Sequence, residues 1–508
     1  MFQRLLIANR GEIAVRIVRS CETLGIETVA VYSEADRHAR HVLEADAAVA
    51  IGEAPAARSY LSIPRLIDAA RASGADAVHP GYGFLSENAD FATACAEAGL
   101  TFVGPSPEVI ARFGSKIEAR RAAREAGVPL VPGAEPADQS PVAIAAAVRT
   151  TGLPALLKPS AGGGGKGMRV LRDDDEAAVA TAAAAARREA EAAFGDGTLY
   201  VERLLERPRH VEVQIAGDRH GRVVHFGERD CSVQRRQQKV VEETPAPDLT
   251  SATRERLTTA AVDLARAAGY DSVGTVEFLV EGGGDEARFY FLELNTRLQV
   301  EHPITELVTG ADLVRTQIEI AARRRDWSPA HRGPRGHAIE CRLSAEDPSA
   351  DFRPQAGRLL AYREPTGPGV RVDSGVGPGS DVPVHYDPLL AKLAVWGPSR
   401  DAARRRALAA LRRYVVLGVR TNLSFLQRVL ENPRFAQGAV DIGFVNDERE
   451  TLAGGAPNES VIAAVAAAAA TAGRKEPPRR LAGASGAAKA PGGDTESDPW
   501  SRLRDWRL

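Results

Sequence analysis

Lysine is scarce in this chain. Of its 65 basic residues only seven are lysines, Lys116, Lys158, Lys166, Lys239, Lys392, Lys475 and Lys489. Where solvation alone decides, the sequence writes arginine, so a lysine marks a place suited to a compact ammonium on a flexible stem rather than a planar fork. Cysteine is scarce as well. Cys21, Cys95, Cys231 and Cys341 lie far apart, with no CxxC pair and no metal-ligand spacing, which speaks against a thiolate metal site or a disulfide framework and for reduced thiols. An excess of one charge is missing: the formal net charge is -2, so no global basic field exists to hold nucleic acid or an anionic membrane. Long apolar runs are missing too. Nothing approaches the ~18 apolar residues of a membrane span, and MFQRLLIANRGEIA has too short an apolar run for a signal peptide. These absences lead us to expect a cytoplasmic protein that binds neither nucleic acid nor membrane.

Two nucleotide signatures are absent. The first turn, Asn9-Arg10-Gly11, is not GxGxxG, and no GxxxxGK[ST] loop occurs. No repeat of 20 to 50 residues is visible. What is present is α/β alternation. RLLIA, EIAVRIVRSCETLG and ETVAVY read as a βαβ unit with a parallel sheet, a Rossmann-like first domain that a Pro-rich turn closes near residue 113. A chain of 508 residues exceeds one core, so further subdomains are expected. Ser115 and Glu118 form a capping box that starts a helix and puts Lys116 in its first turn. LPALLKPS then runs into AGGGGKGM and an Ala-rich helix, a small α/β lid over about 131-204 within 114-330. Residues 331-450 complete the body with mixed strands and helices. Over 451-508 we expect an Ala-rich helix and a disordered Pro/Gly/Ala/Ser tail, ending in Trp500, Leu503, Trp506 and Leu508, which are apolar enough to dock on a partner or on the chain's own surface.

Three stretches carry chemistry. The glycine run Ala161 to Gly167, with Gly163, Gly164 and Gly165 at its centre, lets backbone N-H groups cradle phosphate oxygens; alone it fits a flexible surface hairpin equally well. Lys158 just before it favours the phosphate reading. TVEFLV and RFYFLELN form a hairpin. If it is centred on Asp285, Glu277 stands opposite Glu293, and Glu293, Asn295 and, should the strand continue, Arg297 share a face with Phe289 and Phe291. Two opposed carboxylates need a cation between them, and oxygen ligands suit Mg²⁺ on nucleotide phosphates; the alternative is two solvated carboxylates. In NTRLQVEHPITE, Arg297, Gln299 and Glu301 alternate and can bind a small anion such as bicarbonate and take its proton, or Arg297 and Glu301 can form a structural ion pair.

HPGYGFLSEN, the glycine loop, RHVEVQ, ERDCSVQRRQQKVVEETPAP, ELNTRLQVEHPITE and HAIECRLSAEDP, in this order over residues 1 to 450, together resemble biotin carboxylase. The resemblance implies a Rossmann-like N-terminal domain, a mobile ATP-grasp lid and a C-terminal α+β domain. It implies that Lys116 and Lys158 meet nucleotide phosphates, that Glu202 and Leu205 form the adenine-side hinge, and that His210 and Gln234 complete the nucleotide contacts. Glu277, Glu293 and Asn295 then hold Mg²⁺ or Mn²⁺. Lys239, Arg297, Gln299 and Val300 form the bicarbonate pocket with Glu301 as base, Arg342 holds the biotin ureido oxygen, and Tyr82 lies beside biotin. Arg203 stands where the family commonly has lysine, Gln237 replaces a common histidine, and Ala161 shortens the glycine run.

The implied reaction is ATP- and bicarbonate-dependent carboxylation of biotin, the first half-reaction of an acetyl-CoA or acyl-CoA carboxylase. The implied partners are a biotin carrier protein or domain, a second copy in a homodimer and a carboxyltransferase subunit. With only Met1 and Met168, the chain has no lysine-in-methionine attachment signature, so the biotin is carried elsewhere. A carboxyphosphate-forming ligase acting on an amine, and the equivalent subunit of a pyruvate or urea carboxylase, are the competing readings.

Overall fold

The computed structural model describes residues 1-160, 167-323, 327 and 333-454. The Ala-rich helix and the Trp500 to Leu508 segment expected from sequence lie outside them. Apolar strands near the N-terminus build a five-stranded parallel sheet in the spatial order Ala47–Gly52, Glu27–Ser33, Arg4–Ile7, Ala77–His79, Thr101–Phe102. The amphipathic helix Gly11–Leu24 crosses over it and stops at Gly25, whose φ of +66° is the left-handed helix end that glycine adopts without a Cβ clash. Leu5, Ile7, Ile13 and Ile17 form one core with Leu298 from the far side of the chain. That apolar contact ties the Arg297 to Glu301 segment to the first sheet.

A separate four-stranded sheet, Gly133–Ala134, Leu199–Arg203, Ala155–Pro159, Arg169–Leu171, lies with helices Pro141–Thr151 and Glu176–Phe194. Its core is its own: Ile144, Val148, Leu157, Val179 and Val201. The third sheet is antiparallel and eight-stranded. Its order is Arg288–Asn295, Val273–Glu281, Arg209–Gly217, Val223–Arg235, Gln238–Thr244, His337–Ser344, Leu389–Gly397, Val370–Ser374. It runs unbroken from the middle of the chain into its last third, through pairs such as Val241 with Cys341. On Val273–Glu281 the period of two sends Val276, Phe278 and Val280 into a core with the helix Ser251–Ala267 and leaves Glu277 and Leu279 on a cleft.

The hairpin corrects one expectation. Glu277 and Glu293 are paired, but Phe278 pairs with Phe291, so Leu292 is an extra residue on its strand. Such a bulge interrupts the alternation of faces. Phe289 and Phe291 consequently join the Phe278 core, with the Phe289 ring edge-on to Phe278 at 5.5 Å, and do not share the face of Glu293 and Asn295. The strand also ends at Asn295, so Arg297, Gln299 and Glu301 lie in a turn that leads into the helix His302–Thr309. Among the described residues no helix is long and apolar enough to cross a membrane.

Leu298 is fully buried. Leu298→Ala is expected to cost about 2-5 kcal/mol of stability, read as a lower urea midpoint at constant m-value; an unchanged midpoint would mean that polar contacts alone hold the segment.

Candidate functional site

Charged residues on four neighbouring strands of the large sheet fall into one row. Arg229 pairs with Glu212, Glu212 with Glu277, and Glu277 with Glu293. Three carboxylates side by side repel unless cations stand among them. Arg229, completely buried, donates to Glu212 at 2.6 Å. Lys239, from the strand Gln238–Thr244, spans the middle, with Nζ 2.5 Å from Glu212 Oε2, 2.8 Å from Glu277 Oε1 and 2.7 Å from Glu301 Oε1. His210 Nε2 lies 2.7 Å from Glu277 Oε2. Asn295 and Gln299 donate to Glu277 Oε1 at 2.9 and 3.1 Å.

These contacts set the protonation states. Burial works against the Lys239 ammonium, but Cys231, Glu212, Glu277 and Glu301 hold its pKa well above that of an ordinary lysine. Burial also works to neutralise Glu277, yet Lys239 and His210 hold its carboxyl well below the usual range. Glu293, at the end of the row, goes the other way: burial and then Glu277 push it up. Among the described residues its carboxylate has no ion pair within 4.0 Å.

Glu301 lies fully buried just beneath the cleft floor. Arg342 donates to its Oε2 at 3.0 Å and to Glu242 Oε1 at 2.6 Å. Against the effect of burial, Lys239, Arg342 and Arg229 hold the Glu301 carboxyl well below the carboxylate range. Glu242 is pushed up to about 7, by burial first and with Arg342 opposing. Arg297 does not pair with Glu301. It donates to Asn295 Oδ1 at 2.9 Å, Gln299 Oε1 at 3.1 Å and Glu87 Oε2 at 2.8 Å. Tyr82 and Val300 close this side of the cleft.

The other side belongs to the four-stranded sheet. Lys158 Nζ donates to Glu202 Oε2 at 2.9 Å, and Arg120 bonds the other oxygen. Lys116 begins its helix as expected, with Ser115 as cap. Burial lowers its pKa while Glu293 opposes. Leu205 and Gln234 line the same cleft, whose volume is about 1150 Å³. Gly163, Gly164 and Gly165 lie outside the described residues, as does Ala161. Arg203 reaches Glu281 at 3.1 Å. Gln237 and Arg236 form a two-residue turn with φ of 65° and 48°, a left-handed conformation that costs a non-glycine residue energy.

Sequence reasoning missed Glu212, Arg229, Glu242 and Glu87. For Glu212 a signal existed, since His210, Glu212 and Gln214 alternate in RHVEVQ and therefore share a face. Arg229 had none, because its pairing depends on irregular register between strands.

Comparison with known proteins matches three consecutive stretches to family models. Residues 1-110 match the biotin carboxylase N-terminal domain, 115-325 the ATP-binding domain of the carbamoyl-phosphate synthase L chain, and 340-447 the biotin carboxylase C-terminal domain. The chain is 50% identical over 447 residues to a biotin carboxylase of Nostoc sp., covering 88% of this chain and 99% of that one. It is 46% identical over 453 residues to a pyruvate carboxylase subunit of Methanothermobacter thermautotrophicus, covering 89% and 91%. Its structure is similar to the crystallised biotin carboxylase domain dimer of the Hydrogenobacter thermophilus 2-oxoglutarate carboxylase, in complex with MgADP, ADP and bicarbonate. The TM-score is 0.85 at 42% identity, over 90% of this chain and 100% of that one. Identity this high over nearly all of the described chain, carried by an agreeing fold, makes the chain a member of the biotin carboxylase family.

Proposed function

We propose that the chain carboxylates biotin with ATP and bicarbonate, the biotin being carried on a separate protein or domain. The observation that carries the reading is Lys239, one ammonium shared by three glutamates at the point where the row of carboxylates meets the Arg297 to Glu301 turn. ATP and Mg²⁺ are the cofactors of this chemistry; Mn²⁺ is the alternative metal. Glu277, Glu293 and Asn295 supply oxygen donors, and Glu293, pushed up by burial and by Glu277, fits a hard divalent ion. Bound there, the ion neutralises charge on the nucleotide phosphates.

The chain's own residues do the rest. Lys116 and Lys158 meet the phosphates, Lys158 exchanging Glu202 for a phosphate oxygen, while Glu202 and Leu205 flank the adenine and His210 and Gln234 complete the nucleotide contacts. Lys239, Arg297, Gln299 and the Val300 backbone hold bicarbonate. Glu301 stays ionised at neutral pH and can accept a proton; its basicity rises when Lys239 turns from it to the bicarbonate oxygen. The deprotonated bicarbonate attacks the γ-phosphorus, ADP leaves, and the carboxyphosphate breaks down to CO₂ and phosphate. The phosphate takes the proton of the biotin ureido nitrogen, and the resulting enolate, its oxygen held by Arg342 beside Tyr82, attacks CO₂. Holding the reactants in place and offsetting their charge supplies most of the rate. We assign 1-113, 114-330 with its lid, and 331-450 as the three functional parts. A carrier protein or domain, a second copy of the chain and a carboxyltransferase subunit are the partners of this reading.

Glu301→Gln is expected to lower bicarbonate-dependent ATP cleavage by roughly 10²-10⁴-fold while MgATP still binds in equilibrium titrations; wild-type turnover would remove Glu301 from the role. Arg342→Ala should keep ATP cleavage measurable and cut carboxylation of free biotin by about 10²-10³-fold. Because Arg342 is one of the cations that depress Glu301, its loss raises the Glu301 pKa. The acid limb of the ATP-cleavage pH profile should therefore move to higher pH, and a limb that stays or moves down contradicts the assignment. Glu293→Gln should raise the Mg²⁺ concentration needed for half-maximal rate, and an unchanged requirement places the metal elsewhere.

A further inference from the structure

Lys392 is the one lysine of the described chain to which the reaction above gives no task. It lies on the strand Leu389–Gly397, opposite Arg342 on one side and Asp373 on the other, and its side chain is fully buried. Burying an ammonium is costly unless partners compensate, and a chain that writes arginine elsewhere keeps the compact cation here. Its partners come from the other two thirds of the sequence. Nζ donates to the Val300 carbonyl at 2.9 Å, stands 3.1 Å from Glu12 Oε2 and lies 5.6 Å from the centre of the Tyr82 ring. Neither carboxylate oxygen of Glu12 makes a hydrogen bond. Burial pushes Glu12 up to about 7 with Lys392 opposing, so Glu12 balances part of the charge beside Asp373 and Glu340, and the directed bond goes to Val300.

Val300 has reason to need it. The segment 297-301 follows the end of a strand and precedes a helix, so its carbonyls have no ladder partners. Pro303 has no N-H to return to Gln299, whose carbonyl takes the His302 backbone N-H at 3.3 Å and lies 2.7 Å from Nδ1 of the His302 ring. The Ile304 N-H goes to Glu301 instead, and Lys392 serves Val300. Two buried side chains thus hold consecutive carbonyls of the turn that presents Arg297, Gln299 and Glu301.

We propose that Lys392, balanced by Glu12, is a positioning residue that fixes the Val300 carbonyl and thereby shapes the pocket for the bicarbonate anion. This rests on reading 297-301 as that pocket.

The test is steady-state ADP formation by the full chain, with bicarbonate and MgATP varied separately, for Lys392→Met, Glu12→Gln/Lys392→Met and Arg297→Ala. Losing a charged donor from the carbonyl should raise the bicarbonate KM roughly tenfold or more, with the MgATP KM within about twofold of wild type. The double variant, relieved of an unpaired buried carboxylate, should keep the raised bicarbonate KM because Val300 still lacks its donor. A wild-type bicarbonate KM in a folded Lys392 variant overturns the proposal. So does recovery in the double variant, which would make Lys392 only a counter-ion, a parallel rise in both KM values, or failure of both variants to fold. Arg297→Ala separates the two levels. If it leaves the bicarbonate KM unchanged, the pocket itself is misassigned; if it raises that KM and Lys392→Met does not, only the role of Lys392 falls.

Discussion

Three glutamates side by side on one sheet face, Glu212, Glu277 and Glu293, set the terms for everything around the cleft. Their repulsion is answered by Arg229 at one end and Lys239 over the middle, and each of these cations costs several kcal/mol to bury unless its partners stay in place. Removing either one strands a buried carboxylate, a loss of about 3-5 kcal/mol by the usual behaviour of such pairs. The far end, at Glu293, is left with a carboxyl pushed up by burial and then by its neighbour Glu277. In the proposed reading, cation affinity at that end and anion affinity beside Lys239 and Arg297 are two results of one charge pattern.

How the pattern is built explains what could be read without coordinates. Opposing Glu277 and Glu293 followed from a hairpin taken as straight and centred on Asp285. The real hairpin pairs Glu281 with Arg288 at its mouth, which centres it between Gly284 and Asp285, and the extra residue Leu292 brings Glu277 back opposite Glu293. The same residue turned Phe289 and Phe291 into the core. A bulge adds no periodic signal, so alternation could give the pair and still misplace its neighbours. Motifs located Lys239, Arg297, Glu301 and Arg342 in the chain. Lys239 and Arg342 meet carboxylates 27 to 100 residues away and Arg297 meets one 210 residues away, matters of register and packing that no local pattern encodes.

The eight-stranded sheet places Lys239 and Arg342 on neighbouring strands although about a hundred residues separate them in sequence. Row, turn and Arg342 therefore belong to one continuous framework. Lys158 and Glu202 belong to the smaller sheet with its own core, which shares no strand with the row of carboxylates; in the proposed reading the nucleotide bridges the two, since His210 and Gln234 stand on the large sheet.

The placement of lysine bears on covalent chemistry. Among the described residues Lys158 and Lys392 are buried, and Lys116 and Lys239 face the cleft. Among the described residues, then, and apart from the N-terminal amine, no primary amine stands away from the cleft to meet an electrophile arriving from outside. A mixed anhydride of carbonic and phosphoric acid acylates free amines, and guanidinium groups, protonated at any physiological pH, are poor acceptors for it. In the proposed reaction, which generates such an anhydride in every turnover, a described exterior dressed in arginine offers few acceptors for N-carboxylation by molecules of the intermediate that escape.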